Sequence, residues 1–170
     1  MILLDIVDYD IVNYKDPAMF LIFSVCKGFK CEKENNEDCP NRGLKDMNKV
    51  NISAESVFER YDKQKLTRAI VCGGLEPFDT PQDLVELITT LQNHDFSDTL
   101  VIYTGYNKDE TEVDTVLYNL YKQKPCFSLI FKYGRYLKKK NRSTYCEELG
   151  INLASSNQFA IKFEKGGTVL

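Results

Sequence analysis

The chain of 170 residues and 19.6 kDa has room for one ordinary domain, and its 43% hydrophobic and 28% charged residues exclude wholesale disorder or a fibrous repeat. Its 22 basic and 25 acidic residues leave a formal charge of −3, which offers no general attraction to nucleic acid or an anionic membrane. The longest apolar run, Ala18 to Val25 with only Ser24 interrupting, is far shorter than the ~20 residues of a membrane-spanning helix. MILLDIVDYD reaches Asp5 without a basic start or a small-residue cleavage site, so the expectation is a cytoplasmic protein.

In chain order, Ile11 to Tyr14 reads as a short extended lead-in and Met19 to Val25 as a buried strand ending at Cys26. A polar stretch from Lys27 to Asn51 has no periodicity, and loops of that length are uncommon without a function. Ser53 is placed to cap a helix running to Lys63. A second strand, Ala69 to Cys72, runs into Gly73-Gly74, after which Thr80 and Pro81 open a helix to Asn93 with Leu84, Leu87, Ile88 and Leu91 at core spacing. Leu100 to Thr104 is the third strand and Asp109 to Lys122 the next helix. Phe127 to Lys132 is the fourth strand, and Ile151–Ala154 and Phe159–Phe163 are two short final ones. Strands alternating with helices predict a single α/β domain over 1–170 with a mostly parallel sheet. Such a sheet carries the ends at Cys26, Gly73, Thr104, Lys132 and Ala154 on one rim, where open or barrel-like α/β folds place their sites.

Six cysteines in a reducing compartment suggest metal or catalysis rather than disulfides. Cys26, Cys31 and Cys39 cluster with spacing C-x4-C-x7-C, whereas Cys72, Cys126 and Cys146 are scattered and read as small buried core residues. Three thiolates suit an incomplete metal shell: a 4Fe-4S cluster with one open iron, or zinc completed by Cys72 or Asp38. His94 is the only histidine, and no GxSxG, phosphate-loop or GxGxxG motif accompanies it. Gly73-Gly74-Leu75-Glu76-Pro77 reads either as a tight turn or as a place where a ligand approaches the backbone, with Glu76 an acceptor for an ammonium or hydroxyl. Lys132, Arg135, Lys138, Lys139, Lys140 and Arg142 form an acid-free basic stretch, either a solvated strand end and loop or a docking surface for an acidic partner or phosphate.

A three-cysteine loop after the first strand, followed by GGxEP after the second, resembles the radical S-adenosylmethionine family. The closer resemblance is to the small activating proteins of anaerobic ribonucleoside-triphosphate reductase and covers almost the whole chain. VDYDIVNYKDPAMFLIF, Cys39-Pro40-Asn41, VCGGLEPFD, VIYTGYNKDE, KYGRYL and LGINLASSNQF carry it. The family pattern CxxxCxxC would put cysteines at residues 30 and 33, both lysine here, so Cys31 and Cys39 substitute through a longer loop.

The resemblance implies a partial (β/α) barrel of the radical S-adenosylmethionine type, in which Cys26, Cys31 and Cys39 hold a 4Fe-4S cluster whose open iron takes S-adenosylmethionine. It sets Gly73, Gly74 and Glu76 against the methionine end, Tyr103, Thr104, Gly105 and Tyr106 beside the cofactor, and Asn157 and Gln158 at the same cavity, with no catalytic side chain beyond the cluster ligands. One-electron cleavage to methionine and a 5′-deoxyadenosyl radical would serve to activate a glycyl-radical enzyme such as anaerobic ribonucleotide reductase, with an electron donor such as flavodoxin. With so much of the chain in the core fold, little is left for a separate deep substrate pocket. The alternatives are a radical enzyme acting on a peptide or small molecule, a non-catalytic iron-sulfur or zinc module, and a relative that has lost its cluster.

Overall fold

The computed structural model describes residues 1–28, 30–34, 39–140, 142–164 and 168–169. β-branched and aromatic runs supply strands β1 (Ile2–Asp10), β2 (Ala18–Phe23), β3 (Val50–Asn51), β4 (Ala69–Gly74), β5 (Thr99–Tyr103) and β6 (Ser128–Tyr133), then β7 (Thr144–Cys146), β8 (Ile151–Leu153), β9 (Phe159–Glu164) and β10 (Thr168–Val169). The helices are α1 (Lys30–Glu34), α2 (Ala54–Gln64), α3 (Pro81–Asn93) and α4 (Thr111–Lys122). Eight strands form a mixed sheet in the order β10-β9-β6-β5-β4-β2-β1-β3. β2, β4, β5 and β6 are mutually parallel, and β1 and β9 flank them antiparallel.

The parallel strands are neighbours in the order in which they occur, and right-handed crossovers between them send α2, α3 and α4 to one face. Burial agrees. Val57, Leu84, Leu87, Leu91, Val113 and Leu120 of the helices pack with Met19, Leu21, Ile70, Ile102 and Phe131 of the strands in one core. The alternate strand residues Ala69, Val71, Val101 and Ile130 face the other way, where Tyr14, Cys146, Leu149 and Leu153 cover them. The sheet thus has a helical cover on one side and a thin strap, built on the β7–β8 hairpin, on the other.

Several expectations change. Ile11 to Tyr14 is a bend rather than an extended lead-in, because Asp10 turns the chain by accepting hydrogen bonds from the backbone N–H groups of Val12 and Asn13, both at 2.9 Å. The strand lies before it, as β1. The stretch from Lys27 to Asn51 contains α1, a 3-10 turn at Arg42–Asp46 and β3. Ile151–Leu153 is not a strand of the main sheet. It pairs with β7, so Ala154 is not one of the parallel strand ends. Cys72 and Cys146 are buried as expected, but Cys126 is exposed. Among the described residues no helix is long and apolar enough to cross a membrane.

Candidate functional site

The C-terminal ends of β2, β4, β5 and β6 lie level, with Phe23 opposite Gly74 and Tyr103 opposite Lys132. β9 runs antiparallel and pairs Phe159 with Tyr133, which brings the segment 155–158 to the same rim. Cys26, Cys31 and Cys39 line one cavity of about 150 Å³ there, together with Gly74, Glu76, Tyr103, Thr104, Gly105, Lys132 and Gln158. Gly74, Tyr103, Lys132 and Gln158 also line a larger neighbouring cavity of about 480 Å³, which extends between the sheet and the strap. Burial pushes the Cys31 thiol up to about 11, with the neighbouring Cys39, Cys26 and Glu76 adding to the shift and Arg135 opposing it.

Glu76 anchors the rim. It caps the turn at Pro77–Asp79 by accepting from the Phe78 N–H at 3.1 Å, and it also accepts from Thr104 Oγ1 and the Gly105 N–H, both at 2.7 Å. Thr104 Oγ1 in turn accepts from the Tyr106 N–H at 3.1 Å, so one carboxylate ties the end of β4 to the end of β5. Burial pushes the Glu76 carboxyl up to about 7, against the pull of these three donors. Gly105 lets the backbone come close to both groups: a Cβ there would stand 3.2 Å from Glu76 Oε2, so that the carboxylate would have to give by a few tenths of an ångström, and in ordinary contact with Cys31 Sγ at 3.6 Å. Gly74 adopts φ +86°, and its carbonyl accepts from Asn41 Nδ2 at 2.5 Å, which fastens the segment after Cys39 to the end of β4.

Neighbouring groups stiffen this frame. The Asp79 carboxylate accepts from the Lys27 N–H at 2.5 Å and from the Tyr106 hydroxyl at 2.7 Å, next to Cys26. Lys30 turns to α4 and its lead-in, pairing with Glu110 at 2.7 Å and Glu112 at 3.1 Å. Arg135 pairs with Glu34 at 3.1 Å and with Glu110. Lys132 donates to the Gly134 carbonyl at 3.0 Å, and burial pushes its ammonium down to about 8, Glu76 and Cys31 opposing that shift.

The structure therefore brings together Cys26, Cys31, Cys39, Gly74, Glu76, Tyr103, Thr104 and Gly105, with Tyr106 in a small recess that shares Cys26 and Cys31. Gly73 lies against the Phe20 ring, which a Cβ would approach to 2.7 Å, so it keeps that face of the strand clear rather than lining the cysteine cavity. Tyr103 is fixed by donating from its hydroxyl to the Asn13 carbonyl at 2.6 Å. Asn157 holds the Arg135 carbonyl through Nδ2 at 2.9 Å, its Oδ1 buried without a partner, and it is the neighbouring Gln158 that lines the cavity.

The basic stretch divides. Lys132 and Arg135 are 8% and 3% exposed, buried at the cavity rather than solvated: strand register turns Lys132 inward, and Arg135, just past the end of β6, is held by Glu34 and Glu110. Lys138, Lys139 and Lys140 are exposed on a 3-10 turn. Cys72 is fully buried in the helix-side core, its thiol held well above the usual range by burial, so it cannot complete a zinc shell with the trio. Asp38 lies outside the described residues. Among the described residues no three His, Cys, Asp or Glu side chains stand close enough to hold a single metal ion. Lys132, Arg135, Asp79 and Asn41 are among the site residues that the sequence alone did not assign to it. Lys132 alone carried a usable signal, as a charge inside the apolar alternation LIFKY.

Comparison with protein-family models, with curated proteins and with solved structures finds no match to this chain.

Proposed function

We propose that the chain is a radical S-adenosylmethionine protein of the partial-barrel type, whose 4Fe-4S cluster is held by Cys26, Cys31 and Cys39. The observation that supports this reading is the meeting of all three cysteines with the end of the Gly73-Gly74-x-Glu76 strand around one cavity. The donor chemistry fits a cluster: three sulfurs and no histidine, spread around a cavity. A tetrahedral zinc would need its sulfurs converging at about 2.3 Å on one centre. Bound together, the cluster and the sulfonium supply one-electron cleavage to methionine and a 5′-deoxyadenosyl radical.

The chain's own residues bind and orient. Glu76 uses three acceptor positions on Thr104, Gly105 and Phe78 and keeps one for the ammonium of the methionine moiety. Gly74 and Gly105 leave the cofactor room to approach the backbone. Tyr103, pinned through Asn13, forms a rigid aromatic wall shared by both cavities.

The function proposed is activation of a glycyl-radical enzyme such as anaerobic ribonucleotide reductase, supplied with electrons by a donor such as flavodoxin. The exposed Lys138, Lys139, Lys140 and Arg142 are the solvent-facing part of the basic stretch, the side on which an acidic partner would dock. A second reading, radical chemistry on a peptide or small molecule, is favoured by the 480 Å³ cavity, since it gives more room than the chain length suggests. Electron paramagnetic resonance on anaerobically reconstituted, dithionite-reduced protein tests the proposal. A 4Fe-4S signal that changes shape on adding S-adenosylmethionine is expected. A signal indifferent to the cofactor, or protein that takes up no iron, would overturn it.

A further inference from the structure

Lys132 occupies a position where the strand pattern calls for an apolar side chain. Along β6, Leu129, Phe131 and Tyr133 join the helix-side core and Ile130 faces the strap, so Lys132 also faces the strap side, level with Tyr103 of β5. It is 8% exposed and lines both the cysteine cavity and its larger neighbour, so the ammonium stands at the seam between them. Its Nζ has one acceptor, the Gly134 carbonyl at 3.0 Å, and lies 5.7 Å from the centre of the Tyr103 ring, leaving two N–H donors unspent.

The two other cations that line the cysteine cavity and its small recess are paired. Lys30 has Glu110 and Glu112, and Arg135 has Glu34 and Glu110. Among the described residues Lys132 has no carboxylate within ion-pair distance, and Glu76 directs its oxygens to Thr104, Gly105 and Phe78. A buried ammonium without a counter-ion is costly, and a leucine or methionine would fill the same space without that cost. The charge therefore points to a negative occupant of the cavity it faces. Cys31 and Glu76 are the two acidic groups whose fields act on it.

We propose that Lys132 is the fixed counter-charge of the iron-sulfur group held by Cys26, Cys31 and Cys39, and that it raises the reduction potential of that group. The inference rests on the cluster reading above. Each added electron makes a thiolate-bound cluster more negative, and a fixed ammonium in a low-dielectric cavity stabilises the reduced form more than the oxidised one. Lys132 is thus a positioning residue that acts on the cluster through its field.

The test compares wild type, Lys132→Met, Lys132→Gln and Lys132→Arg, each reconstituted anaerobically and titrated with dithionite in the presence of redox mediators. The reduced fraction is read by paramagnetic resonance, and far-ultraviolet circular dichroism checks folding. In both neutral variants the reduced-to-oxidised ratio at a fixed potential is expected to fall about tenfold, equivalent to a downward shift of about 59 mV for a one-electron couple. Lys132→Arg keeps the charge and is expected to titrate with wild type. Neutral variants that titrate with wild type would overturn the proposal, and so would an arginine variant displaced as far as the methionine one. A potential that holds while affinity for S-adenosylmethionine falls in the neutral variants would overturn it too, assigning Lys132 to a ligand carboxylate instead. Wild type that takes up no iron would bring down the cluster reading itself, a failure distinct from wild type that holds a cluster indifferent to Lys132.

Discussion

The two faces of the sheet are made by the same strands and serve opposite ends. Under the helices, alternate residues from Met19 to Phe131 meet Leu84, Leu87, Ile88 and Leu91 in a continuous apolar core. On the strap side β5 and β6 are apolar only in their first half. Ala69, Val71, Val101 and Ile130 are packed, and then Tyr103 and Lys132 open onto cavities. One face spends its whole length on burial, while the other stops packing where the parallel strands end and leaves polar side chains held by hydrogen bonds. The packed core and the candidate site are thereby separated across a sheet one residue thick, and substitutions on the two faces should report on different properties.

The largest expected effect tests the cavity side. Cys26→Ala, Cys31→Ala and Cys39→Ala should each abolish iron uptake on reconstitution, measured as the iron-to-protein ratio and visible absorbance, while Cys126→Ala, on an exposed residue, should leave both unchanged. Wild-type iron content in all three cavity variants would remove the metal centre from this face. On the helical side, Leu87→Ala removes a side chain with no solvent exposure, and a cost of about 2–5 kcal/mol is expected in urea unfolding. Iron uptake by the folded variant should match wild type, and its loss would show that the two faces are not independent.

Glu76 sharpens the comparison because it is a buried carboxylate on the polar side. Burial pushes it up to about 7 from an ordinary value of 4.5, so between those pH values the folded protein holds more proton than the unfolded chain does. The contribution of Glu76 to stability is therefore greatest at low pH and declines as pH rises through 7, by roughly 3 kcal/mol. Urea midpoints of the metal-free protein at pH 5 and pH 8 read this directly. Glu76→Gln should flatten the difference between the two, and an unchanged difference would place the dependence on other groups.

The two faces also differed in how far the sequence disclosed them. The helix positions were legible because Leu84, Leu87, Ile88 and Leu91 recur at helical spacing, and all four are fully buried. β1 was hidden because register shifts between Leu3 and Asp5 and between Val7 and Asp10 break its period of two and let Asp5, Asp8 and Asp10 interrupt the apolar pattern. The β7–β8 pairing joins three-residue strands, too short to carry a period. At the site, Gly74, Glu76, Thr104 and Gly105 follow directly from strand ends, and local sequence suffices to find them. Arg135 and Lys132 looked like surface charges because the run KYGRYLKKK is basic throughout. Only the pairing of Lys132 with Tyr103, a contact between distant parts of the chain, decides which way it turns.

The smallest expected effect separates two helix starts that look alike in sequence. Ser53 accepts from the Ser56 N–H at 3.1 Å and so satisfies an otherwise unpaired donor in the first turn of α2. Thr80 occupies the same position before α3, but its hydroxyl donates to the Pro77 carbonyl at 3.3 Å and leaves the helix uncapped by the side chain. That hydroxyl belongs to the turn begun by Glu76, so the start of α3 is held by the site's own backbone and by Pro81 rather than by a cap. Ser53→Ala should therefore cost about 1 kcal/mol in urea unfolding. Thr80→Ala should cost less in stability and instead loosen the turn behind Glu76, with protection of the Asp79 and Thr80 amides from hydrogen exchange falling ahead of that of α3. Equal losses of stability from the two substitutions would mean that the turn behind Glu76 also holds the helical face together, against the separation described above.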